Sequence, residues 1–222
     1  MAWKKATRRG KHSHYPTSSP PQNEVHHQLR EIQLKIPVAK DNSEQRELIT
    51  SVVRLLYPFQ PREKQVDCMQ WLLYRKEDLV LVAKTSFGKS LVWQILPCLV
   101  PRTIVIAILP LLALGAEQAS SIQKYLAANA GARPIFVNAR NIGKTMLHDI
   151  QIGYYTHILV SPELLTGKKF RYLLQDPHFR SMVKWVVVDE LHLVSIWGDN
   201  FRKSYAMLEV IRHTLGHKPW FG

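Results

Sequence analysis

The sequence predicts an α/β fold, a mainly parallel sheet with helices on both faces, on three observations. Short apolar runs recur at 79–82, 103–109, 134–138, 158–161 and 185–188, apolar at successive positions as strands buried on both faces are. Helical stretches separate them, and parallel strands need such crossovers. Two of the runs, 79–82 and 185–188, empty into polar, chemistry-bearing sequence at their carboxyl ends, the edge at which open α/β sheets bind ligands.

In chain order, residues 1–40 carry eight basic and two acidic side chains, with no acid before Glu24 and no sustained periodicity. A disordered basic arm over 1–40 is expected, followed by one folded domain over 41–222. Lys4, Lys5, Arg8, Arg9 and Lys11 suit a nuclear localisation patch, a nucleic-acid-binding arm or a mitochondrial presequence; a solvated tail is an equal reading, and Gly10 and Pro16 count against a long presequence helix. His12, His14, His26 and His27 lack carboxylate or cysteine partners in this arm, so they read as solvated rather than metal-binding. From Asp41 the pattern changes. Asp41 or Ser43 can cap a helix whose Leu48, Ile49, Val52, Leu55 and Leu56 share a face, and Pro58 ends it. A second helix starts near Pro61 with Val66, Met69 and Leu73 inward, and the alternating strands and helices follow.

Thirty Lys and Arg against 17 Asp and Glu give a net charge of +13. The excess is +6 over residues 1–40 (eight basic, two acidic) and +7 beyond (22 basic, 15 acidic), so arm and body share it, as in a protein with a polyanionic partner. Cys68 and Cys98 are too few for a disulfide framework or a zinc site of cysteines alone, which points to a reducing, nuclear or otherwise intracellular compartment. No apolar run approaches the roughly 18 residues that cross a membrane, and no membrane partner is expected.

After the first apolar run, Ala83-Lys84-Thr85-Ser86-Phe87-Gly88-Lys89-Ser90 has the form A-x-x-x-x-G-K-S of a phosphate-binding loop. Backbone N–H groups cradle phosphate in such a loop, Lys89 reaches the β/γ oxygens and the Ser90 hydroxyl serves Mg²⁺. A tight turn with a helix cap is the plainer reading. After the last run come Asp189 and Glu190, one carboxylate for the Mg²⁺ side and one to orient or deprotonate an attacking water; taken alone they could be a solvated helix start. Loop and acids in this order together indicate ATP hydrolysis, with ATP and Mg²⁺ as ligands.

Around these motifs the chain resembles the first RecA-like domain of superfamily 2 DNA helicases, most closely the RecQ type in the DEAD/DEAH-box group. The carrying residues run from Phe59 through Arg62 to Gln65, from Lys84 to Gln94, from Leu109 to Leu114, from Ser161 to Leu165, and from Asp189 through His192, Trp197 and Gly198 to Phe201 and Arg202. The resemblance spans about residues 56–215. It implies a RecA-like P-loop NTPase fold and ATP-dependent DNA unwinding. By it Arg62 and Gln65 read adenine, Thr85, Ser86, Phe87, Gly88, Lys89 and Ser90 hold phosphate, Ser90 and Asp189 hold Mg²⁺, and Glu190, Asp189 and Lys89 are catalytic. His192 couples nucleotide state to DNA, and Pro110, Leu111, Ser161, Trp197, Phe201 and Arg202 contact single-stranded or partly duplex DNA. Aromatic faces stacking on unpaired bases give the last three a physical rationale; core residues of a turn are the alternative for Trp197 and Phe201.

Phe87 stands where this family has glycine, Lys84 where it has proline and Leu191 where it has a small residue. Phe87 fits only with a negative φ and its ring turned from the phosphates. A second RecA-like domain, the source of the arginine finger, is required for full activity by the resemblance, so low or no hydrolysis is expected of this chain alone. A truncated helicase-like protein that binds ATP and nucleic acid without unwinding is the alternative function.

Overall fold

The computed structural model describes residues 22–109, 112–165, 167–191 and 208–222. Its sheet has five strands, β1 (Ile104–Ile108), β2 (Pro134–Val137), β3 (His157–Val160), β4 (Val183–Val188) and β5 (Trp220–Phe221), in the order β2-β3-β1-β4-β5. Every neighbouring pair is parallel. Four of the predicted runs are thus strands of one parallel sheet, shifted by a residue or two at their ends.

Side chains alternating along these strands feed two cores. Val105, Ala107 and Leu109 join the first, with Leu159, Trp185, Val187 and Phe221; Ile104, Ile106 and Ile108 join the second, with Ile158, Val160, Val183 and Val186. The first is covered by α1 (Gln22–Lys35), α2 (Asn42–Leu56), α3 (Glu63–Gln70), α4 (Lys89–Gln94), α5 (Leu96–Leu99), α6 (Leu112–Ile122) and α7 (Ala128–Ala130). The second is covered by α8 (Lys144–Gln151), α9 (Pro162–Leu165), α10 (Lys168–Gln175), α11 (Pro177–Met182) and a final helix over 208–215. Gly115 lets α6 lie close on β2, since a Cβ there would come within 2.2 Å of the Phe136 ring. No described helix is long and apolar enough to cross a membrane.

The start expected for the first helix at Asp41 holds in detail: the Asp41 carboxylate accepts from the N–H groups of Ser43 (2.8 Å) and Glu44 (3.0 Å), satisfying two donors that a helix start leaves open. Two expectations need correction. The arm drawn over 1–40 is too long, because residues 22–38 form α1 and a 3₁₀ turn, with Val25, Leu29 and Ile36 buried in the first core and Ile32 against it. The spacing 25, 29, 32, 36 is a helical stripe, masked by the polar composition around it. Residues 79–82 are not buried on both faces either. They run along the outer side of β5, where Leu79 makes an isolated parallel bridge to Phe221, and they leave Val80 63% and Val82 95% exposed.

Backbone bonds fix this segment: Leu79 N–H to Trp220 O (2.8 Å), Gly222 N–H to Leu79 O (3.1 Å) and Leu81 N–H to Gly222 O (2.8 Å). Asp78 supplies the clamp at its start, accepting from Trp220 N–H (2.9 Å) and from the Arg212 guanidinium (2.5 Å). At the back of α3 the helix widens into a π-turn over Trp71–Arg75, and the buried Trp185 indole N–H donates to Leu72 O (3.2 Å), pinning α3 to β4. The residues that precede the phosphate loop are thereby tied to the sheet at two places, β5 and β4.

Leu29→Ala tests whether α1 belongs to the domain. Cavity formation at this buried site is expected to lower unfolding free energy by about 2–5 kcal/mol, against less than about 0.5 kcal/mol for Leu34→Ala on the exposed side of the same helix, in denaturant titration.

Candidate nucleotide-binding site

The loop leaves residues 79–82 at their carboxyl end, turns through a 3₁₀ segment (Thr85–Phe87) closed by Phe87 N–H to Lys84 O (2.9 Å), and bends into α4 at Gly88. Gly88 has φ +80°, and a Cβ there would stand 2.8 Å from Gln65 Nε2, so only glycine serves. Gln65 is buried. Its Nε2 donates to Phe87 O (2.9 Å) and Gly88 O (3.0 Å), and its Oε1 accepts from Arg62 N–H (2.8 Å). Both amide hydrogens are engaged on loop carbonyls, which leaves one Oε1 lone pair for a base edge.

Phe87 has a negative φ, and the Arg62 guanidinium carbon sits 5.2 Å from the centroid of its ring, a cation–π contact that draws the side chain toward α3. The condition for a bulky residue at this position on φ is met. Ser86 is exposed, while Lys89 and Ser90 are half-buried at the start of α4.

Asp189 extends β4, its N–H donating to Ile108 O (3.1 Å). Glu190 then turns sharply at φ +53°, a left-handed conformation that costs a non-glycine residue about 1–2 kcal/mol, and its N–H donates to Asp189 Oδ1 (3.0 Å). Such a turn ends the strand abruptly and keeps both carboxylates at its tip. Leu191 packs toward Gly222, where a Cβ would meet its Cδ2 at 2.7 Å. Ser161 is buried at the carboxyl end of β3, its carbonyl accepting from Leu165 N–H (3.1 Å). Pro110, Leu111, His192, Trp197, Phe201 and Arg202 lie outside the described residues.

Beside the loop opens a cleft of about 250 Å³ lined by Tyr57, Phe59, Tyr125, Ser90, Gln94 and Gln118 among others. Tyr57 packs against Phe59 (5.1 Å between ring centroids) and Tyr125 (5.2 Å). Burial, with Cys98 and Tyr125 nearby, pushes the Tyr57 hydroxyl far above its usual range, so it stays a donor. It gives its hydrogen to Gln94 Oε1 (3.3 Å); Gln94 Nε2 donates to Gln118 Oε1 (2.6 Å), and Gln118 Nε2 donates to Ser90 Oγ (3.1 Å). From below, His157 Nε2 meets Gln94 O (2.7 Å) and Nδ1 meets Thr156 Oγ1 (2.8 Å). Sequence reasoning does not find Tyr57, Gln94, Gln118 or His157, because amides and aromatics 24 to 63 residues apart form no local pattern.

The profile of the DEAD/DEAH box helicase family matches residues 62–218, most of the chain. The chain belongs to that family. Among its sequence relatives, the ATP-dependent DNA helicase RecQ of Bacillus subtilis is 28% identical over 161 residues, 71% of this chain and 26% of the relative. The mouse bifunctional 3'-5' exonuclease/ATP-dependent helicase WRN is 30% identical over 177 residues, 72% of this chain and 12% of the relative. This family member thus spans about a quarter or less of the length of these relatives. In fold it is similar to the DUF1998 helicase MrfA, in a crystal with DNA and AMPPNP (TM-score 0.58, 17% identity, 72% of this chain and 23% of that one), and to the UvsW helicase of bacteriophage T4 (TM-score 0.55, 15% identity, 82% and 60%). A RecQ-type, RecA-like α/β domain is what these likenesses support, in agreement with the motif residues.

His157 is fully buried, which drives its pKa from 6.5 down to about 4, partly opposed by the hydrogen bond to Gln94. Its neutral form is therefore the folded one. Stability from this group is full above pH 6.5 and is lost as pH falls from 6.5 toward 4, on the order of 3 kcal/mol over the window. His157→Gln, which keeps a donor and does not titrate, is expected to flatten that part of the profile of thermal midpoint against pH.

Proposed function

We propose that this domain binds Mg²⁺-ATP at the loop 83–90 and forms the ATP-binding, DNA-contacting half of a RecQ-type helicase, completed by a second RecA-like domain. The observation that carries the reading is topological. The phosphate loop and the Asp189-Glu190 pair leave the same carboxyl edge of a parallel sheet with β5 alone between their strands, which is the place open α/β sheets offer a ligand.

The donor set fits the ligands. Ser90 Oγ accepts one hydrogen bond and keeps a second lone pair, and with the Asp189 carboxylate it offers the hard oxygens that Mg²⁺ takes. When bound, the ion would supply positive charge that offsets the charge on the β- and γ-phosphate oxygens. Lys89 meets the same oxygens as a point charge. Glu190, at the tip of β4, would orient or deprotonate the attacking water, and Arg62 and the aromatic cleft at Phe59 suit a nucleobase. Gln65 holds the loop in shape while offering its remaining lone pair to that base.

DNA contact rests on the resemblance at Pro110, Leu111, Ser161, Trp197, Phe201 and Arg202, with His192 as the link to the nucleotide, and on the net charge of +13. The likeness in fold to the helicase MrfA, crystallised with DNA, is in keeping with the same reading. An opposing arginine from a second domain supplies the remaining transition-state charge, an element worth about 10³ to 10⁵ in related phosphoryl transfers.

Lys89→Ala is expected to weaken Mg²⁺-ATP binding at least about tenfold in equilibrium titration. Unchanged affinity would refute a phosphate site at this loop. Single-stranded DNA binding by the 222-residue chain is expected to fall with salt at a slope of log K on log salt near about −3, for about four phosphates neutralised, and to tolerate sequence changes. A flat response would refute the polyanion reading.

A further inference from the structure

The chain of hydrogen bonds behind Ser90 has a direction. Tyr57 donates to Gln94, Gln94 to Gln118 and Gln118 to Ser90, so each amide is oriented by the group before it and the last hydrogen arrives on the hydroxyl oxygen. Each amide of the relay has a partner on both sides, so one cannot turn without the next. The Gln94 backbone is held as well, by the buried imidazole of His157 at 2.7 Å. Gln94 is only 3% exposed, so its carboxamide has no water to fall back on and depends on these partners.

We propose that Gln118 is a positioning residue for Ser90: the bond from its Nε2–H fixes the Ser90 side-chain torsion and so holds the hydroxyl oxygen in one place, with a second lone pair left for a divalent cation bound with the nucleotide. The inference rests on the nucleotide reading above and deepens it. A serine side chain has three torsional wells, which put its oxygen in three different places, and only one of them suits a given cation position. Donation from Gln118 selects one well before the ligand arrives. The same arrangement joins two parts of the site that are far apart in sequence: α6, which carries Gln118, and the aromatic wall at Tyr57, which follows α2. A heterocycle seated against Tyr57 and Phe59 and a cation seated at Ser90 then act on two ends of one hydrogen-bonded relay.

Gln118 is half-buried on the face of α6 toward the loop, and its carboxamide hydrogen-bonds to Gln94 and to Ser90. Loss of this side chain therefore acts on the hydroxyl and leaves Lys89 and the loop amides as they are. The effect belongs to the cation and not to the phosphates.

The test is a titration of a fluorescent ATP analogue on the 222-residue chain, in EDTA and over a range of Mg²⁺ concentrations, for the wild type, Gln118→Leu and Gln118→Asn, with thermal midpoints recorded for each. Gln118→Leu is expected to raise the Mg²⁺ concentration for half-maximal enhancement of binding by about five- to tenfold, the worth of one hydrogen bond, a larger change than any in the affinity measured in EDTA. Gln118→Asn, whose amide falls one methylene short, is expected to shift it in the same direction. Tyr57→Phe, which removes only the first hydroxyl of the relay, is expected to give a smaller shift of the same sign. An unchanged Mg²⁺ midpoint in both Gln118 variants at wild-type thermal midpoints would overturn the proposal, as would an equal loss in EDTA and in Mg²⁺, which would mean a general effect on the loop. A wild-type chain that shows no nucleotide binding under any condition would instead overturn the nucleotide reading, and this inference with it.

Discussion

The Gln65 carboxamide holds the phosphate loop, and the rest of the site depends on that contact. A loop that leaves a strand and must expose its N–H groups to phosphate cannot satisfy its own carbonyls in a ladder or a helix. Gln65 Nε2 takes Phe87 O and adds a second bond at Gly88 O, which already accepts from Leu91 N–H (3.2 Å). Each bond is worth about 1 kcal/mol net. The bond also favours Gly88, since a Cβ there would crowd the amide nitrogen at 2.8 Å on a backbone of φ +80°. Gln65 is itself fixed by Arg62 N–H, and Arg62 by the Phe87 ring, so the departure from glycine at 87 is absorbed by a partner from the same helix start.

Sheet topology supplies the other constraint. Residues 79–82 make only a few backbone bonds to β5, and they depend on Asp78 to stay in register through Trp220 and Arg212. β5 is two residues long yet carries both the loop's strand on one side and the acid-bearing β4 on the other. The two halves of the candidate site are therefore coupled through a short, lightly bonded element rather than through the deep centre of the sheet at β1. Buried Trp185 and His157 stiffen the surroundings by tying α3 and α4 to β4 and β3 through single hydrogen bonds.

Much of this was legible in the residues, and the failures have physical causes. Successive apolar positions at 103–109 and 185–188 marked strands, because only burial on both faces permits them. The same signal misled at 79–82, where Val80 and Val82 are apolar but lie on the open side of an edge. Periodicity reports what a residue could bury, and whether a neighbour covers it is decided elsewhere in the chain. Polar composition hid α1, whose three inward residues, Val25, Leu29 and Ile32, are a minority in a segment of Gln, His and Glu. For the site, Gly88, Lys89, Ser90, Asp189 and Glu190 were readable because their chemistry is tied to short spacings. The amide relay behind Ser90 was not, since its members come from four separate elements and only packing brings them together.

Amide hydrogen exchange with and without Mg²⁺ and a non-hydrolysable ATP analogue tests most directly whether loop and acids form one ligand site. Protection is expected at two places remote in sequence, the loop segment 85–91 and the tip of β4 at Asp189 and Glu190, and not at the opposite edge of the sheet around Arg102 and Arg133. Protection confined to the loop, or falling instead on the amino edge of the sheet, would contradict a single nucleotide site at the carboxyl edge.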